Sequence, residues 1–260
     1  MCTAPDDDDG PRVGAAFKEE ERRLRAGDGA ALREFVAQPA TGFRRGAVLI
    51  IHDIWGYTDF YKDLARRITE HGHAAALVDF FGRQGDLPES MRAPERTGSN
   101  PEAVARAGQR AQQLSDERFI ADMQTAVDDL QSRGAARVAC WGFCLGGRLA
   151  YVAAARVRGL AAAVAYYGFL QAAAGRISPR DLAGEIRIPV LAVFGGADEA
   201  ITVDQISAFR DALQTDKEFV SYPGAPHGFL RYGATEHKAA IDDALQRTYR
   251  FLARALAPPG

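Results

Sequence analysis

The chain has 260 residues, 47% hydrophobic, 9% aromatic and 25% charged, the proportions of an ordinary globular protein rather than a disordered, collagen-like or membrane-embedded one. With 32 basic against 34 acidic residues the formal charge is −2, without the basic excess that phosphate backbones demand, so nucleic acid is not an expected partner. No run approaches the ~18 consecutive apolar residues of a membrane span, and the three cysteines, Cys2, Cys140 and Cys144, form neither a paired framework nor a zinc-finger spacing.

Residues 1–16 read as an acidic, disordered tail containing Pro and Gly, and 17–260 as one domain with no linker or internal repeat. The start, MCTAPDDDDG, is acidic where a secretory leader is basic and then apolar, so the expected location is the cytoplasm. Ala31–Ala37, after the Asp28-Gly29 turn signal, is a candidate flanking antiparallel strand. Short apolar runs follow at Ala47–His52, Ala74–Asp79, Arg137–Trp141, Leu160–Tyr166, Pro189–Phe194 and Glu218–Tyr222. Several are apolar throughout, as in strands covered on both faces. Helical patterns lie between them. Phe60–Glu70 carries Leu64 and Ile68. Ser115 caps a stripe of Ile120, Met123, Val127 and Leu130. Further helices start near Leu145 and span about Thr235–Leu256. The polar Gly82–Pro101 segment is the longest irregular stretch and follows a strand end, where such folds place ligands. Strands alternating with helices predict an α/β fold, a doubly wound and mostly parallel sheet.

The chemistry concentrates at Gly142-Phe143-Cys144-Leu145-Gly146-Gly147, between a strand and a helix. G-x-nucleophile-x-G in that place is the nucleophile elbow of an α/β-hydrolase, whose glycines avoid collisions across a tight turn. The helix N-terminus behind it favours a thiolate at Cys144 and an oxyanion beside it. The Leu145 N–H is the expected first oxyanion donor, and the Ile54 N–H, in the Asp53-Ile54-Trp55-Gly56 loop, the second. A G-x-C-x-G by itself also fits a buried cysteine among packing glycines. Chain order strengthens the catalytic reading, because acid and then histidine follow the nucleophile in this fold. Asp198 and His227 each follow a strand, on the sheet edge that carries Cys144. The other histidines read as structural: His237 inside the last helix, His71 and His73 flanking a helix-ending Gly72, and His52 orienting the oxyanion loop. Cys140 reads as a small buried hydrophobe.

The words GFCLGG, GGADEAI, PGAPHGF, HDIWG and DFFGRQG together resemble the dienelactone hydrolase family (carboxymethylenebutenolidase-like α/β-hydrolases), over roughly residues 28–256. The resemblance implies a Cys144–His227–Asp198 triad acting on lactones or esters, with no metal or organic cofactor. It implies that Asp53 contacts and activates the thiol; dienelactone-cleaving members usually have Glu there, one methylene longer. It also implies that Arg83 and Arg231 bind a substrate carboxylate, a role suited to guanidinium forks.

The expected function is therefore hydrolysis of a small lactone or ester, carboxylate-bearing and dienelactone-like, through a thioester. The expected partner is that small molecule, and the expected state a monomer or small homo-oligomer. The rivals are a general carboxylesterase or lactonase without carboxylate selectivity, and a redox-responsive or ligand-binding protein without turnover. Fold and triad fix a reaction class rather than a substrate.

Overall fold

The computed structural model describes residues 17–86, 101–172, 175–232 and 235–258; the acidic tail and most of the Gly82–Pro101 segment lie outside these. The elements in chain order are β1 Phe17–Arg25, β2 Ala31–Pro39, β3 Ala47–Ile51, α1 Asp59–Glu70, β4 Ala74–Val78, α2 Pro101–Gln112, α3 Asp116–Ser132 and β5 Val138–Phe143. There follow α4 Leu145–Arg156, β6 Leu160–Tyr166, α5 Pro179–Leu182, β7 Val190–Gly195, α6 Val203–Ala212, β8 Lys217–Tyr222, α7 Phe229–Tyr232 and α8 Lys238–Ala255.

The eight strands form one sheet in the order β1-β2-β4-β3-β5-β6-β7-β8. β1 and β2 run antiparallel, β2 is antiparallel to β4, and all remaining pairs are parallel. Helices cover both faces, so every residue of β3, β4, β5 and β7 is buried. This explains why those strands read as unbroken apolar runs. Ser115 caps α3 as expected, accepting from the Arg118 N–H at 3.1 Å. Among the described residues no helix is long and apolar enough to cross a membrane.

Several elements depart from the sequence reading. β1 is a strand that charge conceals. Glu19 and Glu21 reach Arg66 and Lys62 of α1. Alternate residues Glu20 and Arg22 reach Arg133 and Asp129 at the far end of α3. The period of two is present, but in charges that meet two helices instead of in apolar residues. β5 continues through Gly142 to Phe143 rather than ending at Trp141. α2 and α6 are additional helices, and His237 caps α8 from outside instead of lying within it.

Glu34 of β2 is fully buried, 2.6 Å from Arg22. Burial outweighs the Arg22 charge, and Asp129 adds to the effect, raising the carboxyl from 4.5 to about 7. An acid with a raised folded pKa contributes stability fully below its unfolded value near 4.5, and loses it as pH rises through about 7. Glu34→Gln is expected to raise Tm by a few degrees at pH 8 and to change it little at pH 5. Calorimetry at the two pH values checks this; equal shifts would show that ionisation of Glu34 is not the cause.

Candidate active site

The C-terminal ends of the parallel strands bring the predicted residues to one edge. Cys144 leaves β5 with φ 55° and ψ −113°, a region L-residues avoid and that marks functional strain. Its N–H donates to Tyr166 O, and its carbonyl accepts from Arg148 N, each at 3.0 Å. The elbow is held between backbones. A Cβ on Gly142 would sit 1.9 Å from Gly146 O, and one on Gly146 would sit 2.2 Å from Ile51 O. Neither neighbour is a side chain that could swing away. Gly142→Ala is therefore expected to cost about 4 kcal/mol or more, read as insoluble protein or a Tm drop above about 10 °C.

Asp198, in the turn after β7, accepts Ala200 N–H on Oδ1 at 2.9 Å and meets His227 Nδ1 with Oδ2 at 2.7 Å. His227, after β8, is thereby oriented. Phe169 stacks on its ring at 5.3 Å, and Tyr167 lies at 5.1 Å. The opposite nitrogen, Nε2, is buried without a hydrogen-bond partner among the described residues. Burial alone would lower the imidazole. The Asp198 hydrogen bond, followed by interaction with Cys144, outweighs that and raises it from 6.5 to about 10. An oriented imidazole aimed at a cysteine on a strained elbow is an arrangement for moving a proton to and from sulfur.

The second loop is Asp53–Gly56 after β3. Asp53 Oδ1 accepts Trp55 N–H at 2.9 Å and its carbonyl accepts Gly56 N–H at 3.2 Å, which folds the chain back around the Ile54 amide. His52 behaves as expected. Its Nε2 accepts Phe80 N–H at 3.2 Å, which leaves Nδ1 to donate to Asp53 O at 2.8 Å. A neutral, buried ring thus ties β4 to the loop, and burial pushes its pKa down. Trp55 and Ile54 pack on Ala103 and Ala107 of α2, and the Trp55 indole donates to the Tyr232 hydroxyl at 2.6 Å.

Arg83, Arg231 and Asp53 are each engaged in ion pairs. Arg83 grips Asp122 through Nη1 at 2.5 Å and Nη2 at 2.9 Å, and Asp28 through Nη2 at 2.9 Å. Two carboxylates already occupy the fork that was to hold a substrate. Arg231 is buried, donates to Asp53 Oδ2 at 3.0 Å and lies over Phe60 at 5.1 Å. With Trp55 N–H on its other oxygen, the Asp53 carboxylate links the loop to Arg231; among the described residues no hydrogen bond joins it to the Cys144 thiol.

Tyr167 and Phe169 escaped the sequence reading. Tyr167, with φ 40°, directly follows β6. The rule that strand C-terminal ends carry the site could have found it. Among the described residues no three His, Cys, Asp or Glu side chains group to hold a metal ion.

A mostly parallel sheet of this order, with an elbow after β5 and an acid–histidine pair after β7 and β8, defines an α/β-hydrolase. The dienelactone hydrolase family model matches residues 32–256. The carboxymethylenebutenolidase of Rhodococcus opacus is 32% identical over 219 residues, 80% of this chain and 81% of that one. A solved structure from Klebsiella pneumoniae, named "Putative Dienelactone Hydrolase", is 28% identical. It has a TM-score of 0.78 and covers 92% of this chain and 99% of its own. The dienelactone hydrolase of Anabaena variabilis shares the fold at 21% identity and TM-score 0.62, over 90% and 96% of the two chains. The chain belongs to the dienelactone hydrolase family, and is a hydrolase.

Proposed function

We propose that the protein hydrolyses a lactone or carboxylic ester through a thioester on Cys144. The observation that carries this reading is the His227 ring: Asp198 fixes one nitrogen, the other is buried, and the ring interacts with the elbow cysteine. His227 takes the Cys144 proton on Nε2, and Sγ bonds to the ester carbonyl carbon. The Ile54 and Leu145 amides receive the oxyanion, each worth roughly 3 kcal/mol in transition-state stabilisation. The C–O bond then breaks, and the leaving oxygen takes the proton from His227. Water, deprotonated by the same imidazole, attacks the thioester, and the acid and the Cys144 thiol are regenerated. A redox sensor would need the reactive thiol but not an ordered acid–histidine pair.

Rapid acid quench during turnover of p-nitrophenyl acetate, read by intact mass, tests this. One acetyl adduct, mapped to Cys144, is expected. Turnover at background, or an adduct on another residue, would sink the reading.

The ion pairs of Arg83 favour one refinement. Carboxylate selectivity through that side chain would first require breaking its contacts with Asp122 and Asp28. Arg83→Ala is therefore expected to leave the preference between anionic and neutral esters within about twofold. A larger change in paired kcat/KM measurements would return Arg83 to the binding site.

A further inference from the structure

A cavity of about 280 Å³ opens beside the elbow, at the small end of the roughly 300–1,000 Å³ usual for small-molecule sites. Leu145, the residue after Cys144, and Phe169, the ring stacked on His227, form its wall towards the chemistry. Leu114, Leu149, Ala111 and Ala172 make the rest largely apolar. Three charged side chains also line it: Asp116, Arg148 and Arg176.

Those charges do not balance. Asp116 and Arg148 are both buried and form a closed bidentate pair, at 3.0 and 2.5 Å. Asp116 also accepts Ile177 N–H at 2.6 Å. Arg176 stands farther off, 3.7 Å from Asp116 Oδ1, and is partly open to solvent. Its own hydrogen bonds go to the carbonyls of Gln112 and Leu114, at the C-terminal end of α2. Carbonyl dipoles there carry only a fraction of a charge. The lining therefore carries one net positive charge beside the apolar Leu145 and Phe169, and the exposed Glu117 of α3 is a further carboxylate that acts on Arg176.

We propose that this cavity receives the acyl portion of the substrate, a short apolar chain ending in an anionic group, and that Arg176 is the specificity-determining cation. The assignment rests on the hydrolase reading of Cys144. It places recognition of the anion away from Arg83, whose fork Asp122 and Asp28 fill. Leu145 and Phe169 then serve two purposes, since the residues that flank the reacting carbonyl also steer its acyl chain. A guanidinium meeting a carboxylate in a partly desolvated site gives a charge-assisted bond, and the gain is expected in KM.

The test uses p-nitrophenyl half-esters of succinic, glutaric and adipic acid, each paired with the neutral isostere that ends in an isopropyl group. Wild type is expected to prefer the anionic member of at least one pair by about tenfold or more in kcat/KM. Arg176→Gln should remove that preference through KM, and Arg176→Lys should keep most of it. Because Arg176 also holds the end of α2, Ala172→Asp supplies a second charge change that leaves those bonds intact, and it should weaken the same preference. Ala172→Phe should narrow the cavity and penalise adipate more than succinate. No anionic preference in wild type, or one that survives both charge variants within twofold, would overturn the proposal.

If no ester is turned over at all, the hydrolase reading fails on its own. The cavity is then judged by thermal shift with monomethyl adipate. A Tm rise in wild type that disappears in Arg176→Gln supports an anion site, and no rise in wild type overturns it.

Discussion

Cys144→Ala is expected to lower kcat/KM for ester hydrolysis by about 10⁴-fold or more, and Cys144→Ser by at least about 100-fold. Alanine removes the atom that would bond to the carbonyl carbon, leaving only the proposed oxyanion donors and a binding surface. Serine keeps a nucleophilic atom in almost the same place, but an alcohol ionises far less readily than a thiol, whose ordinary pKa is about 8.5. The elbow backbone tolerates both changes. The strain at φ 55° belongs to the turn, whose close backbone approach leaves no room for a Cβ at Gly142 or Gly146, where it would meet Gly146 O or Ile51 O. Both variants should therefore fold with Tm near wild type, so that lost activity reports on chemistry. Steady-state kinetics with p-nitrophenyl acetate, beside a melting curve for each variant, decides the matter. An alanine variant retaining more than about a tenth of the activity would move the nucleophile elsewhere.

The sheet was legible because its central strands are buried on both faces, and burial of that kind writes itself as apolar runs. The place of the candidate site was legible because sequence order and strand ends together bring Cys144, Asp198 and His227 to the same edge of the sheet. β1 was illegible for the converse reason. It is an edge strand whose backbone pairs with β2 while Glu19, Glu20, Glu21 and Arg22 meet residues of α1 and the end of α3, and those partners lie far away in sequence. α6 buries only Phe209 and so shows little stripe, yet its Thr202–Gln205 capping box was readable in advance. Arg83 shows a deeper limit. A motif can say that an arginine stands after β4, but not that Asp28 and Asp122, 55 and 39 residues away, will already occupy it. Local words carry the chemistry of a site well. They carry its charge balance poorly, because ion pairs are made by tertiary structure.

Asp198→Asn is expected to lower kcat by about 10³- to 10⁴-fold and to move the alkaline limit of activity towards neutral pH. Asp198 Oδ2, 2.7 Å from Nδ1, both selects the tautomer and supplies the charge that holds the imidazolium. Asparagine withdraws the charge and can present an amide N–H to Nδ1, favouring the wrong tautomer. With the carboxylate, His227 is raised to about 10, so a proton is available for the leaving group until pH rises through that value. Without it, burial is opposed only by Cys144, and the proton is lost at lower pH. Stability carries the same sign. A histidine raised from 6.5 to about 10 contributes stability that is fully present below 6.5 and lost as pH rises through 10. The Tm difference between wild type and Asp198→Asn should thus be larger at pH 6 than at pH 10.5. A merely structural aspartate would give one Tm difference at both pH values and leave the alkaline limb in place. Movement of the limb and a pH-dependent Tm gap together would identify the charge itself as what His227 requires.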